Sequence, residues 1–388
     1  MTDAPDMPEC FAMDHRHRVV FEHDALTAGT ALIEMLRVGD APARTLFVVD
    51  DGLVASRPDM LSTLDTFART HADIITPAGH PLLLPGGEAC KQGTDPGMTP
   101  VVDAIRSRGI CRRSTVLVLG GGAVLDAAGF GAAVAHRGVR LVRMPTTTLA
   151  QGDAGVGVKN GVNMPGVRGG KNLLGTFDVP VGVLNDPTLL TSLDDVHWRA
   201  GLAESIKVGL VKDAALLDAI EQDAAALTNR DLPTMTRVIE RTAELHVAHI
   251  VDGGDPFERE RARPLDFGHW MAHELEATSD WAVPHGEAVA MGMCVDLLIG
   301  EAMGITESGL AERMQHLLRE LGFLQWPVRD VGPDTLLDGL EHFRQHLGGE
   351  LTVCMIQSPQ HAVDVHAIDA GAARSAVSTV LDVNASGV

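Results

Sequence analysis

The sequence predicts an α/β protein in two parts, a parallel-sheet half over residues 18–186 and a mainly helical half over 187–388. Three observations lead to this prediction. A chain of 388 residues is too long for one ordinary core and suits two domains. Up to about residue 186, short apolar runs that end in turns alternate with helical patterns. From Val196 onward, apolar residues recur at helical spacing.

The first half begins as a β-α-β unit. Two strands are predicted at Arg18–Glu22 and Arg44–Asp50, with a helix over Ala25–Arg37 between them that ends near Gly39. Further strands are predicted at Pro81–Leu84, Thr115–Leu119, Arg140–Met144 and Pro180–Asp186.

Two strand ends carry residues that suit a nucleotide. Asp50 ends the second strand, where a carboxylate can bind a ribose hydroxyl, although Asp-Gly after a strand is more often only a turn. Thr115–Leu119 runs into Gly120–Gly122 and then a helical pattern. Such glycines let a backbone approach a pyrophosphate at a helix N-terminus, but they could equally serve tight packing.

The stretch Gln151–Phe177 is predicted to be a loop that wraps a polar ligand. It is poor in helix formers and dense in glycine, and Thr146–Thr148 just before it can cap a helix or bind the ligand. Its polar residues are Asp153, Lys159, Asn160, Asn163, Lys171 and Asn172. Charged and amide groups on permissive backbone beside a sheet are typical of a binding loop rather than a linker.

The second half is predicted to be helical, with one hairpin near its end. The helices are expected at Val196–Lys212, Ala214–Ala226, Leu232–Val251, Leu265–Thr278, Gly286–Met303, Leu310–Leu321, Pro333–His346 and Ala372–Val380, and the two strands at Leu351–Ser358 and Ala362–Ile368.

Histidines in the second half predict a metal site. His269 and His273 stand four apart and share a helical face, and His285 opens the next helix behind a proline. Glu204 and Lys207 are three apart on an upstream helix. In a chain with 17 histidines such a pair also arises by chance, but two imidazoles, one carboxylate and an open position form the ligand set of a catalytic zinc site.

The composition excludes several classes of partner. There are 31 Lys plus Arg against 52 Asp plus Glu, a net charge of −21 that repels nucleic acid and anionic membranes. An anionic substrate therefore needs a local cluster of basic residues. Five cysteines without CxxC spacing indicate neither disulfides nor a thiolate metal site. The N-terminus lacks a signal-peptide pattern and no apolar run is long enough to span a bilayer, so we expect a cytoplasmic protein.

Nine motifs, taken in order, closely resemble the sugar phosphate cyclase superfamily, whose best-known member is 3-dehydroquinate synthase. They are VVDD, PGGEACK, GGGAVLD, HRGVRLVRMPTTTLAQGD, VGVKNGVN, KNLLGTF, GLAESIK, DFGHWMAH and HGEAVAMGM, and they span about residues 44 to 300. The resemblance implies a Rossmann-like NAD-binding domain joined to a helical metal-binding domain, usually as a homodimer.

The resemblance also implies a role for each matching residue. One divalent metal, zinc or alternatively cobalt, would be held by Glu204, His269 and His285. NAD would be bound by Asp50, Glu88, Lys91, Gly120, Gly121, Gly122, Asp126, Thr146, Thr147 and Lys171. A phosphorylated sugar would meet the catalytic group Asp153, Lys159, Lys171, Asn172, Lys207 and His273, with Arg137 reaching the phosphate in the neighbouring subunit.

The implied reaction leaves NAD unchanged. The substrate would be oxidised transiently by NAD, would lose phosphate by β-elimination, would be reduced again and would close by an intramolecular aldol step. The lysines and Arg137 would hold the phosphate and stabilise the enolate, and His273 would carry a proton.

The sequence differs from 3-dehydroquinate synthases at positions that help to bind the substrate carboxylate in that family. In that family a lysine follows Glu-Leu before the metal helix, but here His246 follows Glu244-Leu245. The family's Asp-Lys-Lys near the C-terminal strands is replaced by HFRQHLGG. Whether Arg261 or Arg263 takes the place of the usual arginine is open, and Asp266 stands where asparagine is usual.

These departures favour a neutral-headed, seven-carbon ketose phosphate such as sedoheptulose 7-phosphate, as in the 2-epi-5-epi-valiolone synthases. His273 argues for a separate branch, because valiolone-type enzymes often lose this second histidine. The alternatives are a 3-dehydroquinate synthase and an NAD- and metal-dependent polyol dehydrogenase of the glycerol type, and the dense lysine and asparagine loop argues against the second.

Overall fold

A computed structural model describes most of the chain, namely residues 15–92, 97–164, 171–253, 257, 264–328, 331–346 and 349–386. Within these ranges the sheet and the helical half expected from the sequence are both present. None of the described helices combines the length and the apolar character that crossing a bilayer requires.

A seven-stranded parallel sheet forms the centre of the first half. Its strands are β1 (Val19–Phe21), β2 (Ala43–Asp50), β3 (Ile75–Pro77), β4 (Leu82–Leu84), β5 (Thr115–Gly120), β6 (Arg140–Pro145) and β9 (Gly182–Asn185). Their order is β1-β9-β6-β5-β2-β3, and β4 pairs with the last residues of β2, so β3 and β4 together cover one edge. Because the strands are parallel, the residues that follow β2, β5 and β6 meet at one edge of the sheet.

Helices cover both faces of the sheet. They are α1 (Ala31–Leu36), α2 (Asp51–Ser56), α3 (Met60–Thr70), α4 (Met98–Ser107) and α5 (Gly122–Val134). Neighbouring residues of a strand point to opposite faces, so Phe47 packs in the cluster with α1 and α3, whereas Leu46 packs in the cluster with α4 and α5. Both clusters exclude water, which is the usual condition of a parallel sheet.

The first predicted helix was placed too early. It was expected from Ala25, but α1 begins at Ala31 and the preceding residues form turns. Asp186 accepts hydrogen bonds from the backbone N–H groups of Asp24 and Ala25 at 3.2 and 2.9 Å, which holds this segment against the sheet as a turn. The short elements α2, α3, α4 and β3 were not predicted.

The loop predicted over Gln151–Phe177 was partly wrong, because it contains a hairpin. A π-helical turn over Ala150–Ala154 is followed by β7 (Lys159–Val162), which pairs antiparallel with β8 (Leu174–Phe177). The hairpin packs on α5, where Asn160 lies against Gly129, so part of the glycine content serves packing.

The second half is a bundle around one long apolar helix. Its helices are α6 (Asp195–Lys212), α7 (Ala214–Gln222), α8 (Ala224–Thr228), α9 (Leu232–Asp252), α10 (His269–Thr278), α11 (His285–Ala302), α12 (Leu310–Glu320), α13 (Pro333–His346) and α14 (Ala370–Ser386), and β10 (Val353–Ser358) pairs with β11 (His361–Val365) as the expected hairpin. Nearly all of α11 is buried, as its apolar sequence predicts.

Three helices of the second half differ from the prediction. The closing helix, expected over Ala372–Val380, extends over Ala370–Ser386. The helix expected over 214–226 is interrupted at Asp223, giving α7 and α8. The helix expected from Leu265 begins only at His269, because Gly268 has a left-handed φ of 78° after a 3-10 turn at Pro264–Asp266.

Candidate functional site

Asp50 and the glycine turn meet at the carboxyl edge of the sheet. The Asp50 carboxylate accepts from the N–H of Gly52 at 2.9 Å and from that of Gly121 at 3.3 Å. Burial raises the pKa of Asp50, and these N–H groups oppose the increase. A Cβ on Gly120 would lie 2.9 Å from Val124, so tight packing accounts for that glycine, while Gly122 opens α5.

A polar network around the buried Lys91 and Asn163 extends to the hairpin loop. The ammonium of Lys91 forms an ion pair with Asp126 and donates to the side-chain oxygen of Asn172 at 2.8 Å. Although burial lowers the pKa of Lys91, Asp126 and Glu88 raise it above its usual value, so the lysine is charged. Asn163 completes the network, because it donates to Glu88 at 3.1 Å and accepts from the Asn172 N–H at 2.9 Å.

Thr146 and Thr147, which follow β6, line the same edge. The N–H of Thr146 donates to the carbonyl of Gly120 at 3.0 Å, and the hydroxyl of Thr147 accepts from the N–H of Ala150 at 3.2 Å. Thr147 therefore caps the turn that leads to Asp153. The structure thus places Asp50, Gly120–Gly122, Thr146 and Thr147 together at this edge, whereas Lys171, also expected to bind NAD, pairs with Glu276 in the helical half.

Glu204, His269 and His285 form a compact cluster where α6, α10 and α11 meet. Their ligand atoms all lie within 4.8 Å of one another. Nε2 of His269 and Nε2 of His285 lie 3.6 and 3.4 Å from the same oxygen, Oε1 of Glu204. Glu204 is 1% exposed, so this convergence lies inside the protein.

The donor atoms of this cluster are arranged as a metal requires. Neither oxygen of Glu204 has a partner in hydrogen-bonding geometry, although the Lys207 ammonium pairs with Oε2. Nδ1 of His269 lies 3.1 Å from the carbonyl of Phe267, which leaves Nε2 with the lone pair that faces Glu204. Burial, assisted by Lys207, holds the pKa of His269 well below its usual value, so the ring is neutral. These residues therefore fit a divalent cation.

Charges around the cluster keep the carboxylate ionised. Burial alone would raise the pKa of Glu204, but Lys207 and His285 bring it down to about 2. Burial also lowers the pKa of Lys207, and Glu204 with Asp153 raises it above its usual value. The His273 ring lies 5.3 Å from that of His269 and 6.1 Å from that of His285, and burial beside Lys171 keeps its pKa low.

Asp153 lies beside this cluster and is paired with a histidine. Nδ1 of His246 on α9 lies 2.7 Å from Oδ1 of Asp153. Burial and the charge of Glu204 would raise the pKa of Asp153, but His246 and Lys207 bring it below its usual value. His246, which stands where the resemblance leads us to expect a lysine, thus faces a carboxylate of this chain.

Basic side chains gather around the cluster despite the negative net charge. Lys171 lies 2.5 Å from Oε2 of Glu276 and 5.7 Å from the centre of the Trp281 ring, while Lys159 opens β7 on the exposed side. The sequence contains five lysines, and four of them, Lys91, Lys159, Lys171 and Lys207, belong to this region.

Some predicted residues lie elsewhere, and one buried residue was missed. Arg137 is exposed on the turn after α5, with a φ of 61°, and forms no ion pair with the described residues. Arg261 and Arg263 lie outside the described residues, and Asp266 lies in the 3-10 turn before α10. Glu276 was not singled out, although its spacing of seven residues from His269 places both on one face of a helix.

Two family models match consecutive parts of the chain. The model described as 3-dehydroquinate synthase N-terminal matches residues 81–200, and the one described as 3-dehydroquinate synthase C-terminal matches residues 201–343. Curated relatives carry the same name. The 3-dehydroquinate synthase of Solibacter usitatus (strain Ellin6076) is 33% identical over 322 residues, which are 78% of this chain and 87% of that protein. That of Methylococcus capsulatus (strain ATCC 33009 / NCIMB 11132 / Bath) is 35% identical over 295 residues, 76% of this chain and 80% of that protein.

Solved structures agree in fold. ValA, a 2-epi-5-epi-valiolone synthase from Streptomyces hygroscopicus subsp. jinggangensis 5008, was solved with NAD⁺ and Zn²⁺. It has a TM-score of 0.85 and 27% identity over 97% of this chain and 99% of that one. A 2-deoxy-scyllo-inosose synthase structure with carbaglucose-6-phosphate, NAD⁺ and Co²⁺ has a TM-score of 0.73 and 24% identity over 89% of this chain and 90% of that one, which shows the shared fold. The chain belongs to the 3-dehydroquinate synthase family, within the sugar phosphate cyclase superfamily.

Proposed function

We propose that this protein is a sugar phosphate cyclase that converts a neutral-headed seven-carbon ketose phosphate, such as sedoheptulose 7-phosphate, into a cyclitol. The reaction would combine transient oxidation, β-elimination of phosphate, re-reduction and aldol closure, with no net consumption of NAD. Family membership supports the class of reaction, and the likeness to a 2-epi-5-epi-valiolone synthase supports the choice of substrate.

The contact between His246 and Asp153 carries the choice of substrate. A carboxylated substrate needs a cation at this position, but the imidazole here lies 2.7 Å from a carboxylate of the protein itself. Asp153 is also ionised, because its pKa is below the usual value through His246 and Lys207 against burial and Glu204. A second carboxylate would be repelled there, whereas a hydroxyl could donate to Asp153.

The residues that would hold the cofactors fit them. NAD would bind at the sheet edge, with Asp50 toward a ribose and the N–H groups after Gly120 toward the phosphates. Glu204, His269 and His285 would hold a divalent metal, zinc or cobalt. When bound, NAD supplies reversible hydride transfer, and the metal supplies Lewis acidity at neighbouring substrate oxygens.

The protein's own side chains would do the remaining work. Lys159, Lys171 and Lys207 would place positive charge where the phosphate leaves and where enolate charge develops. The neutral ring of His273 on α10 lies beside the rings of His269 and His285, where it can accept a proton and return it. We also propose a homodimer in which the exposed Arg137 reaches the partner's phosphate site.

Phosphate release from two substrates tests the proposal. The enzyme with NAD and zinc or cobalt is incubated in parallel with sedoheptulose 7-phosphate and with the carboxylated precursor of 3-dehydroquinate. We expect faster release from the ketose phosphate, without a steady increase in NADH absorbance. Faster release from the carboxylated precursor would reject the choice of substrate, and release from neither would mean that a different sugar phosphate is used.

A charge-restoring variant sharpens this test. His246→Lys puts back the cation that the family uses, and one charged hydrogen bond is worth about 1.5–3 kcal/mol. We expect the ratio of kcat/KM for the carboxylated precursor over the ketose phosphate to increase by roughly one to two powers of ten. Ala248→Lys is the matched control, because it adds the same charge on an exposed position of α9.

Two other functions remain candidates. The names of the curated relatives favour 3-dehydroquinate synthase, which the same assay would reveal. The glycerol dehydrogenase of Schizosaccharomyces pombe shares the fold, with a TM-score of 0.61 at 14% identity. A polyol dehydrogenase would accumulate NADH stoichiometrically with product, and the lysines around Glu204 argue against it, since a neutral polyol has no phosphate to bind.

A further inference from the structure

Glu276 is a buried acid between Lys171 and His285. It lies on α10, its side chain is 1% exposed, and Oε2 is 2.5 Å from the ammonium of Lys171 and 3.2 Å from Nδ1 of His285. The Glu276 carboxylate therefore lies directly behind a candidate metal ligand, with the Lys171 ammonium on its other side.

The ring of His285 depends on Glu276 for its orientation. Nδ1 of His285 is buried and has no partner in full hydrogen-bonding geometry among the described residues, and Oε2 of Glu276, 3.2 Å away, is the acceptor within its reach. A proton held on Nδ1 leaves the lone pair on Nε2, which faces Oε1 of Glu204 at 3.4 Å. Acidic partners of this kind fix the tautomer and the angle of a ligating imidazole and increase its basicity.

Lys171 joins Glu276 to the opposite side of the site. The next residue, Asn172, accepts from Lys91, which is paired with Asp126 on α5. A continuous polar path therefore runs from the sheet edge through Lys171 and Glu276 to His285. In this path Lys171 is the counter-ion of Glu276, while Glu276 contacts the metal ligand itself.

We propose that Glu276 is a positioning residue that fixes the His285 ring for metal binding, with Lys171 as its counter-ion. This inference rests on the metal site of the proposed function. The experiment measures metal affinity and not turnover. If the metal site is correct but Glu276 plays no part in it, His269→Ala weakens metal binding and a substitution of Glu276 does not. If the metal site itself is wrong, His269→Ala also leaves metal affinity unchanged.

The test compares two buried glutamates of the same helix. Co²⁺ affinity of the purified full chain is measured by chelator competition and by visible absorption for the wild type, Glu276→Gln and Glu274→Gln. Glu274 is also buried, but it pairs with His342 at 2.8 Å and not with a metal ligand. We expect Glu276→Gln to weaken Co²⁺ binding about 10- to 100-fold, and Glu274→Gln to change it less than about threefold. Unchanged affinity in a folded Glu276→Gln protein would overturn the assignment.

Two further variants keep the proposal testable. Glu276→Asp retains the charge on a shorter side chain, so it should bind Co²⁺ more tightly than Glu276→Gln, and it serves in its place if Glu276→Gln does not fold. Lys171→Met removes a cation near the metal position, so Co²⁺ binding should be unchanged or tighter. A tenfold loss in Lys171→Met would mean that the lysine, and not Glu276, organises the ring, and would also overturn the assignment.

Discussion

At the scale of single residues, one oxygen of the Glu204 carboxylate has no donor. Glu204 is buried and ionised, and the Lys207 ammonium pairs with Oε2. Oε1, which both imidazoles face, has no partner in hydrogen-bonding geometry. A divalent metal would fit between this oxygen and the two rings.

The first prediction concerns this cluster. Purified protein should contain about one divalent ion per chain, zinc by preference for two imidazoles and a carboxylate. His269→Ala should lose the ion and the activity and remain folded, as measured by elemental analysis, phosphate release and circular dichroism. Full activity of a metal-free His269→Ala protein would refute the assignment.

The second prediction concerns Asp50. If its carboxylate binds the NAD ribose, Asp50→Ala should weaken NAD binding by roughly 1–3 kcal/mol, the range for leaving a charged hydrogen bond unmet. Calorimetric titration with NAD measures the change. Asp103→Ala, an exposed aspartate on α4, is the control and should bind NAD as the wild type does.

Sequence reasoning found these residues because their signals are local. His269 and His273 share a helical face through spacing alone, and Asp50 follows an apolar strand. The contact between Asp153 and His246 joins residues that are far apart in sequence, so no local spacing predicts it. Glu276 was missed because a glutamate in a helix is usually solvated, and only the fold shows that it is buried between Lys171 and His285.

At the scale of elements, Arg143 holds the turn between Asp153 and Lys159. It is fully buried and donates to the carbonyls of Gly155, Gly157 and Lys159 at 3.1, 2.7 and 3.0 Å. It also donates to the side chain of Asn160 at 2.6 Å. These bonds tie the glycine-rich stretch to β6.

The third prediction follows from these bonds. Arg143→Met leaves buried acceptors unmet, so the free energy of unfolding should fall by roughly 1–3 kcal/mol, measured by urea denaturation. Arg140→Met on the same strand removes one bond to the Met35 carbonyl and should cost less than about 1 kcal/mol. Equal losses in the two variants would contradict this role for Arg143.

A buried aspartate on α11 forms hydrogen bonds to the start of α10. Asp296 accepts from the Gly268 N–H at 2.8 Å and from the Trp270 indole at 2.6 Å. Burial raises its pKa to about 7, against these two donors. The folded protein therefore binds an extra proton here between the ordinary pKa of 3.8 and about 7.

The fourth prediction follows from this titration. Stability from Asp296 should be fully present below about pH 4 and lost as the pH rises through about 7, because the folded-state pKa is raised. The stability advantage of the wild type over Asp296→Asn should therefore be larger at pH 5 than at pH 8 in urea denaturation. Asp65→Asn, an exposed control on α3, should show no such trend.

Helices and strands were predictable from the sequence where their apolar periodicity extends over many residues. The strands β2, β5 and β6 and the helices α6, α9 and α11 lie within one or two residues of their expected bounds, since burial imposes periodicity on them. The start of α1 was not predictable, because the hydrogen bonds from Asp186 come from a residue that is distant in sequence. Gly268 broke the helix expected from Leu265 through a left-handed φ that no periodicity reveals.

At the scale of the whole molecule, the candidate site lies between the two apolar clusters that cover the sheet and the one inside the helical half. The clusters around the sheet include residues up to Leu189, whereas the helical cluster begins at Leu190. This supports our proposal of a division near residue 186, which stays a prediction. The helices α6, α10 and α11, which carry the candidate metal ligands, belong to the helical cluster. The glycine turn leads into α5, which belongs to a cluster on the sheet.

The fifth prediction concerns ligand removal. A ligand that binds only the folded state stabilises it by about 2.7 kcal/mol at a hundred times its Kd. Chelation of the metal should therefore lower the Tm, zinc should restore it, and NAD should raise it further. The Tm of His269→Ala should respond to NAD but not to zinc, and a zinc response in this variant would point to a different metal position.

The concentration of lysines at the site has a practical consequence for covalent chemistry. Apart from the N-terminus, Lys212 at the end of α6 is the remaining lysine, so primary amines are nearly missing from the outer surface, where arginine supplies the positive charge. Lys91, Lys171 and Lys207 are shielded, while Lys159 is exposed. An acylating reagent should therefore label Lys159 before Lys91, Lys171 and Lys207. If Lys159 holds the phosphate as we propose, a bound sugar phosphate should protect it. Amine-directed immobilisation or cross-linking would attach the protein through few amines, the N-terminus, Lys159 and Lys212, and thus in part through the candidate site.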